Sequence, residues 1–167
     1  MAVTLITGGA RSGKSLHAER LAMAGALHPF YIATAEVEDP EMEARVALHR
    51  SRRGNLWQER QAGLDLIATL ESCHGEAPRL VDCLTLWLSN LMYRGRDSHS
   101  EGAALADYLR QSRADIILVT SEVGLGIVPE NALARDYRDR LGLLNQQIGA
   151  IADRVDLVVA GQALRIK

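Results

Sequence analysis

The 167-residue sequence predicts one α/β domain, residues 1–167, with a mainly parallel sheet and helices on both faces. Three features predict it. Short β-branched runs alternate with helical patterns along the chain, the order that right-handed β-α-β crossovers produce. Those runs are apolar almost throughout, as strands are when helices cover both sides of a sheet. The first run leads straight into a glycine-rich turn and then a helix.

Residues 3–7 (VTLIT) make the first strand, and a helix is expected over 14–26. Residues 30–34 (FYIAT) make the second strand. The next helix, 40–53, opens acidic with Glu41 and Glu43 and closes basic with Arg50, Arg52 and Arg53, which suits the helix dipole. A helical pattern over 63–73 precedes the third strand, 79–83 (RLVDC). Helices over 84–93 and 102–112 lead to the fourth strand, 115–120 (DIILVT). A glycine- and proline-bearing loop follows, in which Gly124, Gly126 and Pro129 constrain the backbone and Asn131 is placed to cap a long helix, 132–152. That helix carries Arg135, Arg138 and Asp139, and its glycines, Gly142 and Gly149, mark expected breaks. Residues 156–161 (DLVVAG) complete a set of five strands.

Ligands of such sheets lie beyond the carboxyl ends of the strands. The segments to inspect are therefore 8–15, 33–36, 82–85, 121–126 and 161–163. The first, GGARSGKS, fits the phosphate-loop pattern G-x-x-x-x-G-K-[ST] through Gly8, Gly13, Lys14 and Ser15, between a strand and a helix. Glycine lets the backbone wrap a phosphate with no Cβ in the way. Loop amides and the helix N-terminus supply partial positive charge. Lys14 is placed to reach the β- and γ-phosphates, and the Ser15 hydroxyl to ligate Mg2+. Asp82, ending the third strand, is the candidate carboxylate for the metal-bound water, though an Asp there is also a common helix cap. Glu122, after the fourth strand, competes for the same role.

Of five histidines, His28 precedes a proline, and His74 and His99 lie in polar stretches. His17, one turn past Lys14, is expected to pack on its helix surface. His49 stands apart because Arg45, His49 and Arg53 are spaced four residues apart, with Arg52 beside them, on one helix face. Neighbouring cations disfavour protonation of the imidazole, and a neutral imidazole is a nucleophile whose phosphate target the guanidiniums would hold. The competing reading is a solvated basic face.

Composition sets the outer bounds. Hydrophobic residues are 47%, charged residues 24% and aromatics only 4%, so the core is aliphatic and the class is globular. A formal net charge of −2 gives no footprint for nucleic acid or an anionic membrane. Cys73 and Cys83 lack metal-ligand spacing and suit a reducing compartment. The first apolar run is too short for a secretion signal or a membrane span, so the expected localisation is cytoplasmic.

Taken together, TGGARSGKS, YIATA, RVALHRSRRG with Trp57 after it, LVDCLTLWLSNL and EVGLGIVPENALARDYRDRLGLLNQ resemble the bifunctional adenosylcobinamide kinase / adenosylcobinamide-phosphate guanylyltransferase family of cobalamin biosynthesis. The likeness runs nearly end to end, to the closing LVVAGQALRIK. It implies a RecA-like P-loop NTPase fold and a two-step transferase. ATP or GTP would phosphorylate the aminopropanol hydroxyl of adenosylcobinamide, and GMP would then pass from GTP to the product, releasing pyrophosphate. The family's guanylyl carrier falls on His49. Its nucleotide contacts fall on Gly8, Gly9, Ala10, Arg11, Ser12, Gly13, Lys14 and Ser15, on Ala33, Thr34 and Ala35, and on Arg50, Ser51, Arg52 and Arg53. Two positions depart from the family pattern: Gln61 and Asp82 each stand where Glu is common. The resemblance also implies Mg2+ and a small homo-oligomer, a trimer among the family's members. The alternative is a P-loop kinase without guanylyl transfer.

Overall fold

A computed structural model describes residues 2–36, 47 and 54–167. Seven strands form one sheet in the order β3-β2-β4-β5-β1-β6-β7. They are β1 (Val3–Gly8), β2 (Phe30–Ala33), β3 (Gln58–Gln61), β4 (Arg79–Asp82), β5 (Ile116–Val119), β6 (Arg154–Val159) and β7 (Gln162–Arg165). All neighbours pair in parallel except β6 and β7, which pair antiparallel. Among the described residues the helices are α1 (Lys14–Gly25), α2 (Leu66–Glu71), α3 (Leu84–Tyr93), α4 (Ser98–Gln111) and α5 (Ala132–Ile151).

The five anticipated strands are all present, and helices cover both faces. Val3 and Leu5 of β1, with Ile116 and Leu118 of β5, point into a core closed by α2, α3, α4 and α5. Ile6, Ile117, Val119 and Val158 point the other way, against Ala18 and Ala22 of α1. Burial on both sides is why these strands read as continuous apolar runs.

Five local expectations are corrected. β3 (QERQ) and β7 (QALR) were not expected as strands; both are polar, largely exposed edge strands held by backbone pairing, which leaves no apolar pattern to read. Residues 160–161, expected in the last strand, are instead the turn into β7, with positive φ at Ala160 and Gly161. Helix α4 starts at Ser98 rather than residue 102, because the Asp97 carboxylate accepts from the His99 amide. Helix α5 runs unbroken through Gly142 and Gly149, while α2 is shorter than the expected 63–73. The helix expected over 40–53 lies outside the described residues, apart from Ala47, which is helical and exposed.

The fold turns back on itself at β1. The chain leaves β1 for β2, three places away, and later passes from β5 on one side of β1 to β6 on the other. A crevice opens where strand order reverses in this way. Helix α3 lies along that edge. The Thr85 hydroxyl accepts from the Ser121 amide beyond β5, and Asn90 Nδ2 donates to the carbonyls of Thr34 and Gly63, beyond β2 and β3. Thr34, fully buried, locks the two exits together: its hydroxyl donates to the Cys83 carbonyl at 2.7 Å and accepts from the Cys83 amide at 2.8 Å.

Replacing Thr34 by Val keeps the shape and leaves the Cys83 amide without its acceptor. This substitution is expected to cost about 1–3 kcal/mol in urea unfolding, with Thr34→Ser recovering most of the loss.

Candidate active site

The glycine loop follows β1 and is shaped by contacts with β6 and the turn after it. A Cβ at Gly8 would press on the Val158 carbonyl and the Ser12 hydroxyl. Gly13 has φ +96°, and a Cβ there would lie 3.2 Å from Gly161 Cα. The Gly161 amide donates to the Ser12 carbonyl at 2.8 Å, and the Glu122 amide to the Gly8 carbonyl at 3.0 Å. Lys14 Nζ donates to the Gly9 carbonyl at 3.0 Å, so its ammonium curls over the loop.

Like that of α3, the start of α1 is open. Its N-cap is Gly13, no side chain caps it, and its first turn holds no acidic residue. By contrast α4 is capped by Asp97, and α5 by Asn131, which accepts from the amides of Leu133 and Ala134. The amides of α1 and the partial positive charge of its dipole thus remain available to an anion.

The other expected positions converge on the same edge. Ala33, Thr34 and Ala35 leave β2 beside the end of β3, where the Gln61 amide donates to the Ala35 carbonyl. The Thr34 hydroxyl is spent on Cys83. Asp82 ends β4, two strands from β1, and one of its carboxylate oxygens accepts from the Tyr31 hydroxyl at 2.9 Å. Glu122, across β5, accepts from the Gly124 amide at 2.5 Å. Burial, with Asp82 alongside, pushes the Cys83 thiol up to about 11, so it stays protonated and is no nucleophile at neutral pH. His49, Arg50, Ser51, Arg52 and Arg53 lie outside the described residues.

Among the described residues no group of three or more His, Cys, Asp or Glu gathers to hold a metal. A Mg2+ ion takes few protein oxygens and completes its shell with phosphates and water. Ser15 and Asp82 have the hard oxygens such an ion takes, and Asp82 keeps one carboxylate oxygen clear of Tyr31.

Sequence reasoning missed one buried cluster. His17 packs on β6, where its Nε2 lies 2.7 Å from Asp156 Oδ2, a fully buried carboxylate. Arg154 Nη2 donates to the same oxygen at 2.6 Å, and Arg154 Nε lies 2.9 Å from the other. The sequence signal was an Asp inside an apolar strand with an Arg two residues before it, on the same face. This contact fixes the first turn of α1, which carries Lys14 and Ser15, to the sheet.

These features belong to a known family of proteins. The family model described as cobinamide kinase / cobinamide phosphate guanyltransferase matches residues 4–166. The chain belongs to that family. It is a transferase with a P-loop, and it resembles named members along almost their whole length. It is 47% identical over 167 residues to the bifunctional adenosylcobalamin biosynthesis protein CobP of Pseudomonas aeruginosa, spanning 98% of this chain and 96% of that protein. It is 39% identical over 180 residues to the bifunctional adenosylcobalamin biosynthesis protein CobU of Salmonella typhimurium, spanning 98% of each. The fold is more widely shared. An ATPase of a bacterial type III secretion system superposes with a TM-score of 0.58 at 10% identity, over 98% of this chain and 56% of its own. The flagellar accessory protein FlaH of Methanocaldococcus jannaschii gives 0.53 at 13%, over 99% and 78%.

Asp156 yields a prediction. Burial alone would raise its carboxyl, but hydrogen bonds from Arg154 and His17 outweigh burial and hold it below the ordinary carboxylate range. Stability from a lowered carboxyl is complete above the unfolded value, about pH 4, and is lost as pH falls through the native value. Asp156→Asn is therefore expected to lose about 1.5–3 kcal/mol at pH 7. In urea unfolding across a pH series, its gap to the unmodified protein should close below about pH 4.

Proposed function

We propose that this chain is one P-loop catalytic domain that performs both reactions of its family, on adenosylcobinamide, through a covalent His49–GMP intermediate. The observation that carries the proposal is the uncapped, glycine-shaped loop of Gly8, Gly9, Ala10, Arg11, Ser12, Gly13, Lys14 and Ser15, with Asp82 on the same sheet edge, in a member of this family.

In the kinase step the loop amides and Lys14 hold the triphosphate of ATP or GTP, with Mg2+ held by Ser15 and Asp82. The bound cation neutralises charge on the phosphate oxygens. The hydroxyl oxygen of adenosylcobinamide bonds to the γ-phosphorus, the bond to the β-phosphate oxygen breaks, and a nucleoside diphosphate leaves. The hydroxyl proton goes to a carboxylate, for which Glu122, hydrogen-bonded through its own amide to Gly8, is the nearer candidate to the loop and Asp82 the second.

In the guanylyl step, neutral His49 bonds to the α-phosphorus of GTP and pyrophosphate leaves, its charge met by Lys14 and the loop amides. A phosphate oxygen of the cobinamide phosphate then bonds to that phosphorus, the N–P bond breaks, and the imidazole is released. Arg50, Ser51, Arg52 and Arg53 hold the phosphates around His49. Ala33, Ala35 and Gln61 face the base, where the Gln61 amide replaces the carboxylate common in the family; Thr34, expected beside them, is fully buried with its hydroxyl paired to Cys83 and supports them from behind. The enzyme works in the cytoplasm as a small homo-oligomer, a trimer.

Incubation with GTP and Mg2+ is expected to add one GMP to the intact mass, through an acid-labile, base-stable bond. His49→Ala is expected to abolish that adduct while retaining γ-phosphoryl transfer to adenosylcobinamide. An adduct that persists in His49→Ala overturns the carrier assignment. A wild-type protein that forms no adduct yet turns over γ-phosphate is a kinase alone.

A further inference from the structure

A second concavity lies across α3 from the glycine loop. The C-terminal half of α3, the turn after it and the first half of α5 enclose about 860 Å3. Its apolar surface comes from Met92, Tyr93, Leu133 and Tyr137. Tyr93 is 78% exposed and Leu133 68%, an unusual outlay of apolar surface at one place. The two arginines of its wall are paired: Arg140 Nε donates to Asp136 at 2.9 Å, and Arg96 pairs with Asp65 and Glu101.

The cavity is tied to the reacting edge. The Tyr137 hydroxyl donates to the Thr85 carbonyl at 3.0 Å, and the Thr85 hydroxyl accepts from Ser121 at 2.8 Å. The next residue, Glu122, donates through its amide to Gly8. The inner wall of the cavity is thus linked to the glycine loop through the first turn of α3 and residues 121–122.

The lining also selects the ligand. The wall carries the carboxylates of Asp97 and Asp136, and its two cations are paired, Arg140 with Asp136 and Arg96 with Asp65 and Glu101, so a polyphosphate gains little there. A broad, flat ligand with apolar faces and neutral amides around its rim fits better. Its faces meet Tyr93, Met92 and Leu133, and its amides both donate and accept. A corrinoid is such a ligand, and the volume lies in the range of small-molecule sites.

Resting on the function proposed above, we propose that the cavity between α3 and α5 seats the corrin ring of the acceptor. Its side arm then reaches over the first turn of α3 to the phosphate held at the glycine loop. The nucleotide and the corrinoid thus occupy opposite sides of α3.

The test is equilibrium dialysis of dicyanocobinamide, followed by its own colour, against the full chain without nucleotide. Leu133→Asp and Tyr93→Ala replace exposed side chains and should fold, which thermal melting checks. Each is expected to weaken cobinamide binding about tenfold or more, while GMP incorporation from GTP stays unchanged. Unchanged cobinamide affinity in both folded variants overturns the assignment. So does a drop in molar mass by light scattering with affinity intact, which gives the face to a second copy of the chain. A wild-type chain that binds no cobinamide removes both this assignment and the substrate reading. Failure of GMP labelling alone removes only the histidine carrier.

Discussion

The glycine loop is held in shape by backbone meeting backbone. Gly8 lies against the Val158 carbonyl, and Gly161, in the turn after β6, donates its amide to Ser12. Neither approach leaves room for a side chain at Gly8 or Gly13, so the loop cannot relax toward β6 or away from it without losing those contacts. Because β1 sits between two parallel neighbours, the loop is fixed at the one place where strand order reverses. A phosphate therefore meets a cradle already formed, and less of its binding energy goes into ordering the protein.

The same edge is organised by helix ends and carboxylates. Helix α1 keeps its amides open, while α4 and α5 close theirs with Asp97 and Asn131. Asp82 and Glu122 lie at the exits of β4 and β5, on the same edge as the loop. Helix α3 is bound at its first turn to the exit of β5 and farther along to the exits of β2 and β3. It thus ties the exits of β5, β2 and β3 together along the edge that carries the loop.

Much of this was legible because parallel strands buried on both faces leave an unmistakable apolar signature, and because the phosphate loop needs specific glycines at specific spacing. The convergence of Ala33, Asp82 and Glu122 followed from the rule that strand ends gather at one edge. What escaped had no such signature. β3 and β7 are polar because edge strands need backbone partners rather than a core. The His17–Asp156 contact joins residues far apart in sequence, and no local pattern announces which buried charge a helix will find. Helix α5 was expected to break at its glycines. It runs through both, since a lone glycine costs a helix only about 1 kcal/mol, and neither position is crowded: a Cβ at Gly149 would make ordinary contact with Leu5 and one at Gly142 would meet nothing. His49 and the arginines after it are supported by their spacing and by the family resemblance.

The open N-terminus of α1 also bears on how the protein should be handled. A ligand that binds the folded state alone raises its stability by RT ln(1 + [L]/Kd), about 2.7 kcal/mol at a hundredfold excess over Kd. Here the folded chain leaves a helix end without a counter-charge, so part of the electrostatic balance of the native state is supplied by the substrate. Nucleotide concentration is then a variable of shelf life and proteolytic resistance as well as of turnover. Preparations stripped of nucleotide will report a less robust protein than the one that works in the cell.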